Sequence, residues 1–263
     1  LWLDAGPTGL LCTACIANAS AMTGDELRDA ARTAYKLIQR SLQASPTPHP
    51  VRFWNHIPNI NGLLPDGQTR YMAFNAGRFE ACCAWFGGPE LFDTRVATAS
   101  GIGDRGSGVV VHCLASAVPG RAVNNPRQIA PYRYSRAYGL LPPCFARGML
   151  IGGPHPILLV GGTASIVGEE SRHSGDLSRQ TDETLTNLAA VVAAGLGRSG
   201  WDDEAALLAR FRELRVYHRQ AADLAVLQRR LTSAFTGVSE AEFVHADLCR
   251  GELLVEIEGV AYL

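Results

Sequence analysis

The stretch LVEIEG, residues 254 to 259, sets two carboxylates, Glu256 and Glu258, into an otherwise aliphatic run near the end of a 263-residue chain. A spacing of two is the period of a strand, so Leu253, Val255, Ile257 and Ala261 share one face while Leu254, Glu256 and Glu258 share the other. A carboxylate so placed does one of two things. On the polar face of a half-buried strand it is solvated and carries no chemistry; in an apolar pocket it keeps its proton near neutral pH and can act as a general acid. The period alone favours the first. Cys12 and Cys15 form a CxxC, but redox or zinc chemistry would want a second CxxC or a spaced histidine pair, and the sequence has neither. The thiols therefore read as ordinary buried side chains.

Composition narrows the partner. The 24 basic and 25 acidic residues leave a formal charge of −1, which removes the electrostatic reason to expect nucleic acid or an anionic membrane. A small molecule is the expected ligand. No run approaches the roughly 18 apolar residues of a membrane span, and the first segment lacks a basic start before its apolar stretch. An odd count of seven cysteines in a chain rich in other core residues argues against a disulfide scaffold and for the cytoplasm. The chain begins at Leu1, so the reading of no targeting signal holds only for the sequence in hand.

The elements that must carry these residues come in a repeated order. Leu27, Ala31, Ala34, Ile38 and Leu42 form one helical stripe over 24 to 42, and Leu185, Leu188, Val192 and Leu196 form another over 180 to 197. Each helix is followed by a strand (51 to 60, 210 to 220) and a second helix (70 to 87, 222 to 237). Each half then closes with a β-rich hairpin, over 95 to 117 and 242 to 263. Two tandem α+β domains follow, 1–118 and 119–263, divided where Pro, Gly and Asn cluster in VPGRAVNNPRQ. The second opens with its own strands, in the three segments PYRYSRAYG, CFARGMLIGG and ILLVGGTASIVG, bounded by Pro and Gly. The first has only LLCTACIANAS in that place, which suggests a shortened start.

PYRYSRAYG, VGGTASIVG, QTDETLTNL, LRVYH and LLVEIEG, in that order, resemble the RidA (YjgF) fold, a mixed sheet packed against two helices. More specifically, FWNHIPNIN, RYMAFNAGRFEA, ATASGIGDRGSG, VHCLASAVPGRAVNNPRQIAPYRYSRAYG and GEESRHSGDLSRQTDETLTNL resemble the chorismatases, two-domain enzymes that remove pyruvate from chorismate. The resemblance implies that the glutamate of the last strand, Glu256, is the catalytic acid. It also implies the subgroup that forms 3-hydroxybenzoate, which has a cysteine seven residues before the glutamate and a glycine in the GTAS strand. Cys249, placed with Glu256 in the catalytic set, and Gly162 stand there. His112, in the first domain's closing hairpin, stands at the place expected to match Glu256 and is left out of the site.

Chorismate carries two carboxylates, and arginine's planar fork suits them. Arg147 in CFARGM and Tyr134 in PYRYSR fall where the RidA fold lines its ligand cleft; Arg215 in LRVYH is a further substrate-binding candidate, and Gly162 would leave room for the ring. The implied chemistry is protonation of the enolpyruvyl methylene by Glu256, after which the ring's 4-hydroxyl displaces pyruvate at the neighbouring carbon and the product aromatises. Neither a metal nor an organic cofactor is required. Hydrolysis of the same ether to a dihydroxycyclohexadiene carboxylate is the nearest rival. A RidA-like imine deaminase would want an arginine about fifteen residues before the glutamate, where Ser239, Glu240 and Ala241 offer none, and a non-catalytic metabolite-binding module is the reading from another class. RidA domains commonly form trimers, so the resemblance leaves a homo-oligomer open. Chorismatases often feed secondary metabolite biosynthesis.

Overall fold

A computed structural model of the chain describes residues 1–6 and 9–263. The first half runs β1 (Trp2–Ala5), β2 (Gly9–Ile16), α1 (Gly24–Gln43), β3 (His49–Pro58), α2 (Arg70–Phe86), α3 (Phe92–Arg95), β4 (Thr98–Asp104) and β5 (Val109–Ser116). The second runs β6 (Arg121–Val123), β7 (Gly148–Ile151), β8 (Ile157–Ala164), β9 (Ile166–Val167), β10 (Glu170–Ser171), α4 (Leu177–Gly195), α5 (Glu204–Leu208), β11 (Phe211–His218), α6 (Leu224–Ala234), β12 (Glu240–His245) and β13 (Val255–Tyr262).

Local chemistry explains the helices. Thr23 and Glu26 form a reciprocal capping box at the start of α1, satisfying two amides that have no partner inside the helix. The stripe Leu27, Ala31, Ala34, Ile38 and Leu42 is fully buried. Asp176 caps α4 by accepting from the Arg179 amide, and Leu185, Leu188 and Val192 are buried while Leu196 is only partly so. Gly77 lets α2 cross α1 closely, because a Cβ there would run into the Arg28 carbonyl.

The sheets repeat one plan. The first has order β1-β2-β5-β3-β4 and the second β12-β11-β13-β8-β7-β6. Within each, a parallel pair made through a helical crossover (β3 with β4, β11 with β12) stands beside an antiparallel neighbour (β5, β13). Both halves are therefore the RidA-like mixed sheet on two helices. The closing segments are not hairpins, however. β3 lies between β4 and β5, and β11 between β12 and β13, because the α2 and α6 crossovers make the first strand of each segment parallel to its predecessor and leave the other edge for the second. PYRYSRAYG is not a strand either: it forms two single turns, Pro131–Arg133 and Arg136–Tyr138, with Pro131 at the start of the first, where its missing N–H costs nothing.

The chain passes from one sheet to the other between Ser116 and Arg121. The halves are joined along the outer edge of β4, where the Ala146 amide donates to the Ala97 carbonyl at 3.1 Å and the Gly103 amide to the Asp247 carbonyl at 2.8 Å. Ile102, Ala164, Ile166, Tyr217, Leu248 and Leu253 form a small apolar cluster at this seam. The seven cysteines are all free; Cys12 is buried and Cys15 exposed, since a separation of three along β2 points the two thiols to opposite faces. Among the described residues no helix is long and apolar enough to cross a membrane.

Candidate active site

Glu256 stands on β13 between Tyr217 of β11 and Ala164 of β8 and is only 3% exposed. The polar face read from the two-residue period is therefore buried, because the first half covers it. The carboxyl borders a cavity of about 230 Å³ whose walls come from both halves: Tyr71, Ser100 and Asn61 from the first, and Phe145, Ile166 and Cys249 from the second. Burial, reinforced by the nearby Glu258 carboxylate and opposed by Arg52 and Arg147, pushes the Glu256 carboxyl up to about 8. It is protonated at neutral pH and can donate to an atom in the cavity.

The neighbouring strand makes the space for it. In β8 the register shifts so that Gly161 and Gly162 together stand opposite Glu258, a bulge that turns both residues toward the first half. A Cβ on Gly162 would collide with a Glu256 carboxyl oxygen and lie 2.8 Å from its carbon and 2.9 Å from Ser100 Oγ. The missing side chain at Gly162 leaves space that the Glu256 carboxyl occupies, and the glycine itself borders the cavity.

Cys249 is half-buried with its thiol 3.9 Å from Glu256 Oε2. Burial, with Glu256 beside it, pushes this thiol up to about 12, so it is a neutral group and not a thiolate nucleophile. Arg147, 3% exposed, donates to the Tyr134 hydroxyl and lies 5.2 Å over the Phe145 ring. Its Nε has no partner and it makes no ion pair among the described residues, leaving a buried guanidinium facing the cavity. Such a charge is costly unless an anion joins it. Of the six residues singled out in the sequence, Glu256, Cys249, Gly162, Arg147 and Tyr134 meet at this cavity.

Arg215 does not. It pairs with Glu242 at 2.6 Å and with Glu258 at 3.7 Å and lines a separate hollow with Trp54 and Leu114. It shares the face of Tyr217, but its register places it opposite Glu258 and not Glu256, and Glu242 of β12 holds its head. A second arginine at the cavity is Arg250, which the sequence did not single out. Arg250 lines the cavity and anchors one amino group on the Glu169 carbonyl (2.8 Å) and Ser171 Oγ (3.1 Å). Its guanidinium lies 4.0 Å over the Tyr138 ring, and among the described residues it too has no carboxylate partner. Its position beside Cys249 was the available signal.

Glu258 was also missed, as the second and seemingly redundant carboxylate. It is 4% exposed and accepts from Arg52 Nη2 at 2.6 Å, Trp54 Nε1 at 2.7 Å and Ser100 Oγ, all from the first half. A buried pair of this kind costs about 3–5 kcal/mol when one member is removed, because the other charge is left alone. His112 donates nothing to this site; it hydrogen-bonds Thr13 at 2.7 Å and packs edge-on against His56.

Comparison with known proteins adds the following. Residues 6–115 match the family described as chorismatase FkbO/Hyg5-like, N-terminal. A protein of Streptomyces hygroscopicus named 3-hydroxybenzoate synthase is 34% identical over 239 residues, covering 88% of this chain and 69% of that protein. A protein of Streptomyces rapamycinicus named chorismatase is 35% identical over 218 residues, covering 81% of this chain and 64% of that one. The crystal structure of a chorismatase, 28% identical, superposes with a TM-score of 0.84 over 98% of this chain and 76% of that chain.

Proposed function

The chain belongs to the chorismatase family, and from that premise we propose that it converts chorismate to 3-hydroxybenzoate and pyruvate with Glu256 as the acid. The observation that carries the reading is a buried carboxyl, which desolvation pushes up to about 8, at the wall of a cavity that also holds two guanidiniums without carboxylate partners among the described residues. Chorismate supplies both missing complements: two carboxylates for Arg147 and Arg250, and an enolpyruvyl methylene that a carboxylic acid can protonate.

The Glu256 proton goes to the methylene carbon, placing positive charge on the adjacent ether carbon. The ring C–O bond then breaks, its electron pair forming the pyruvate carbonyl, while the substrate's 4-hydroxyl oxygen bonds to the carbon left behind and loses its proton. Opening of this three-membered ether and loss of the ring C–H proton give the phenol and restore the acid. Atoms balance without water. In this reading Cys249, a neutral thiol 3.9 Å from Glu256 Oε2, is assigned to border the carbons that rearrange.

The names of the relatives do not choose between this product and the hydrolytic one, so the choice rests on Gly162 and Cys249. Product analysis after incubation with chorismate tests it. The expected result is pyruvate with 3-hydroxybenzoate, unlabelled when the reaction runs in ¹⁸O-water. A predominance of the non-aromatic dihydroxy acid would remove the product assignment and keep the chorismatase; absence of pyruvate would remove both. The same cavity in a binding module would take up chorismate and return it unchanged.

A further inference from the structure

Two carboxylates share the buried face of β13, and the reaction uses only one. Glu258 is held entirely by groups of the first half apart from the distant Arg215, and one of these, Ser100, also reaches the cavity. Ser100 Oγ donates to Glu258, accepts from Arg52 Nη2 at 2.6 Å and accepts from the Gly162 amide at 2.9 Å. Its hydrogen-bonding capacity is full. Gly162 in turn abuts the Glu256 carboxyl with no side chain between them. Hydrogen bonds therefore run from the Arg52–Glu258 pair through Ser100 to the Gly162 amide, and the Gly162 backbone is the surface against which the Glu256 carboxyl packs.

We propose that Glu258 is a positioning residue for the reaction, and that the Arg52–Glu258–Ser100 bridge is the means by which the first half holds the Glu256 carboxyl in its working place and state. This rests on the reading of Glu256 as the acid. The bridge acts in two ways. Through Ser100 it fixes the bulge that leaves Glu256 its space. Through charge, the Glu258 anion opposes ionisation of Glu256 while Arg52 favours it, so the pair balances the proton on the acid. The other charged and titratable groups facing Glu256 are Tyr217 on β11, Tyr71 on α2, Arg147 ahead of β7, and Cys249, Arg250 and Glu252 in the loop before β13. None of them joins the first half to Glu258.

The test is a pair of titrations on the full chain. The Glu256 carboxyl is followed in the substrate-free protein by isotope-edited infrared or ¹³C resonance, and the alkaline fall of kcat/KM is followed with chorismate. Glu258→Gln leaves Arg52 unopposed, and both titrations should move to lower pH by about one unit or more, a tenfold loss of activity above the new midpoint. Adding Arg52→Gln removes the unopposed charge and should move both back toward the parent. A merely structural loss would lower activity in the single and double variants alike without moving the midpoint, and that result would overturn the proposal. Ser100→Ala keeps both charges and covers the case in which Glu258→Gln fails to fold. It should lower kcat by about tenfold at unchanged KM. Parent-like kcat in Ser100→Ala would equally overturn it. The carboxyl titration requires no substrate, so its outcome stands apart from whether chorismate is turned over.

Discussion

The two halves of the molecule share a strand plan and differ where chemistry needs them to. In the first, Arg52 is the β3 residue paired with the first residue of β4; in the second, Glu213 is the β11 residue paired with the first residue of β12. Counting from there, His56 matches Tyr217 and Trp54 matches Arg215. Across the sheet their partners are Val110 and Glu256 in one case, and His112 and Glu258 in the other. The counterpart of Glu256 is therefore Val110 and not His112, which matches Glu258. Opposite His112 stands Thr13, in unbroken register and hydrogen-bonded to it. Opposite Glu258 stand two glycines and a bulge. The comparison teaches that the fold alone does not make an acid. The strand must carry the carboxylate, its neighbour must lose two side chains, and another half must cover the result.

That contrast can be broken at several points. The largest effect is expected from Glu256→Gln, which keeps the shape but has no proton to give. Pyruvate release should fall by about a thousandfold or more, and activity within about tenfold of the parent would take the acid role from Glu256. Gly162→Ala gives β8 the kind of side chain that β2 carries and forces the carboxyl aside. A loss of about a hundredfold in kcat is expected for misplacement on this scale, with some hydrolytic product, whereas parent-like kcat would show that the acid has other room.

Next is pH. Activity should decline as pH rises through about 8, where Glu256 loses its proton, by about tenfold for each further unit. Stability should follow. The folded carboxyl holds its proton to about 8, whereas an unfolded glutamate holds it only to about 4.3. The stability this group contributes is complete below the lower value and is lost as pH rises through the upper one. Glu256→Gln, which cannot ionise, should lose less stability than the parent between about pH 6 and 9 in thermal melts; an equal loss would mean the carboxyl is already ionised at neutral pH.

Arg147→Ala should raise KM about tenfold or more with a smaller change in kcat, as for a group that grips a carboxylate equally before and during reaction. An unchanged KM would leave that work to Arg250. The smallest effect belongs to Arg215→Ala, whose head lies in the other hollow; kcat/KM should stay within about threefold, and a greater loss would draw that hollow into the site.

The sequence was informative wherever the controlling physics is local. The stripe of α1 and its Thr23 cap, the apolar face of α4 and the repeated order of elements follow from periodicity and backbone hydrogen bonding, and the structure keeps them. Quoted motifs carried the resemblance to chorismatases and, through it, Glu256, Cys249 and Gly162. What could not be read from the chain is whatever depends on the approach of distant segments. The pairing of β5 with β3 in place of β4 is one case, since strand order is set by crossover geometry and not by propensity.

Burial of the β13 face is the decisive case. By its own sequence LVEIEG is a strand with a wet side. Its carboxylates become buried only because Arg52, Trp54 and Ser100, about 150 to 200 residues earlier, arrive over it and bind Glu258. The types and spacing of side chains determined the elements, the carboxylate and the glycine opposite it. The tertiary structure decided that water would be excluded from that carboxylate, and so whether it holds a proton, because desolvation is a property of everything packed around a group and not of the group's own neighbours in sequence.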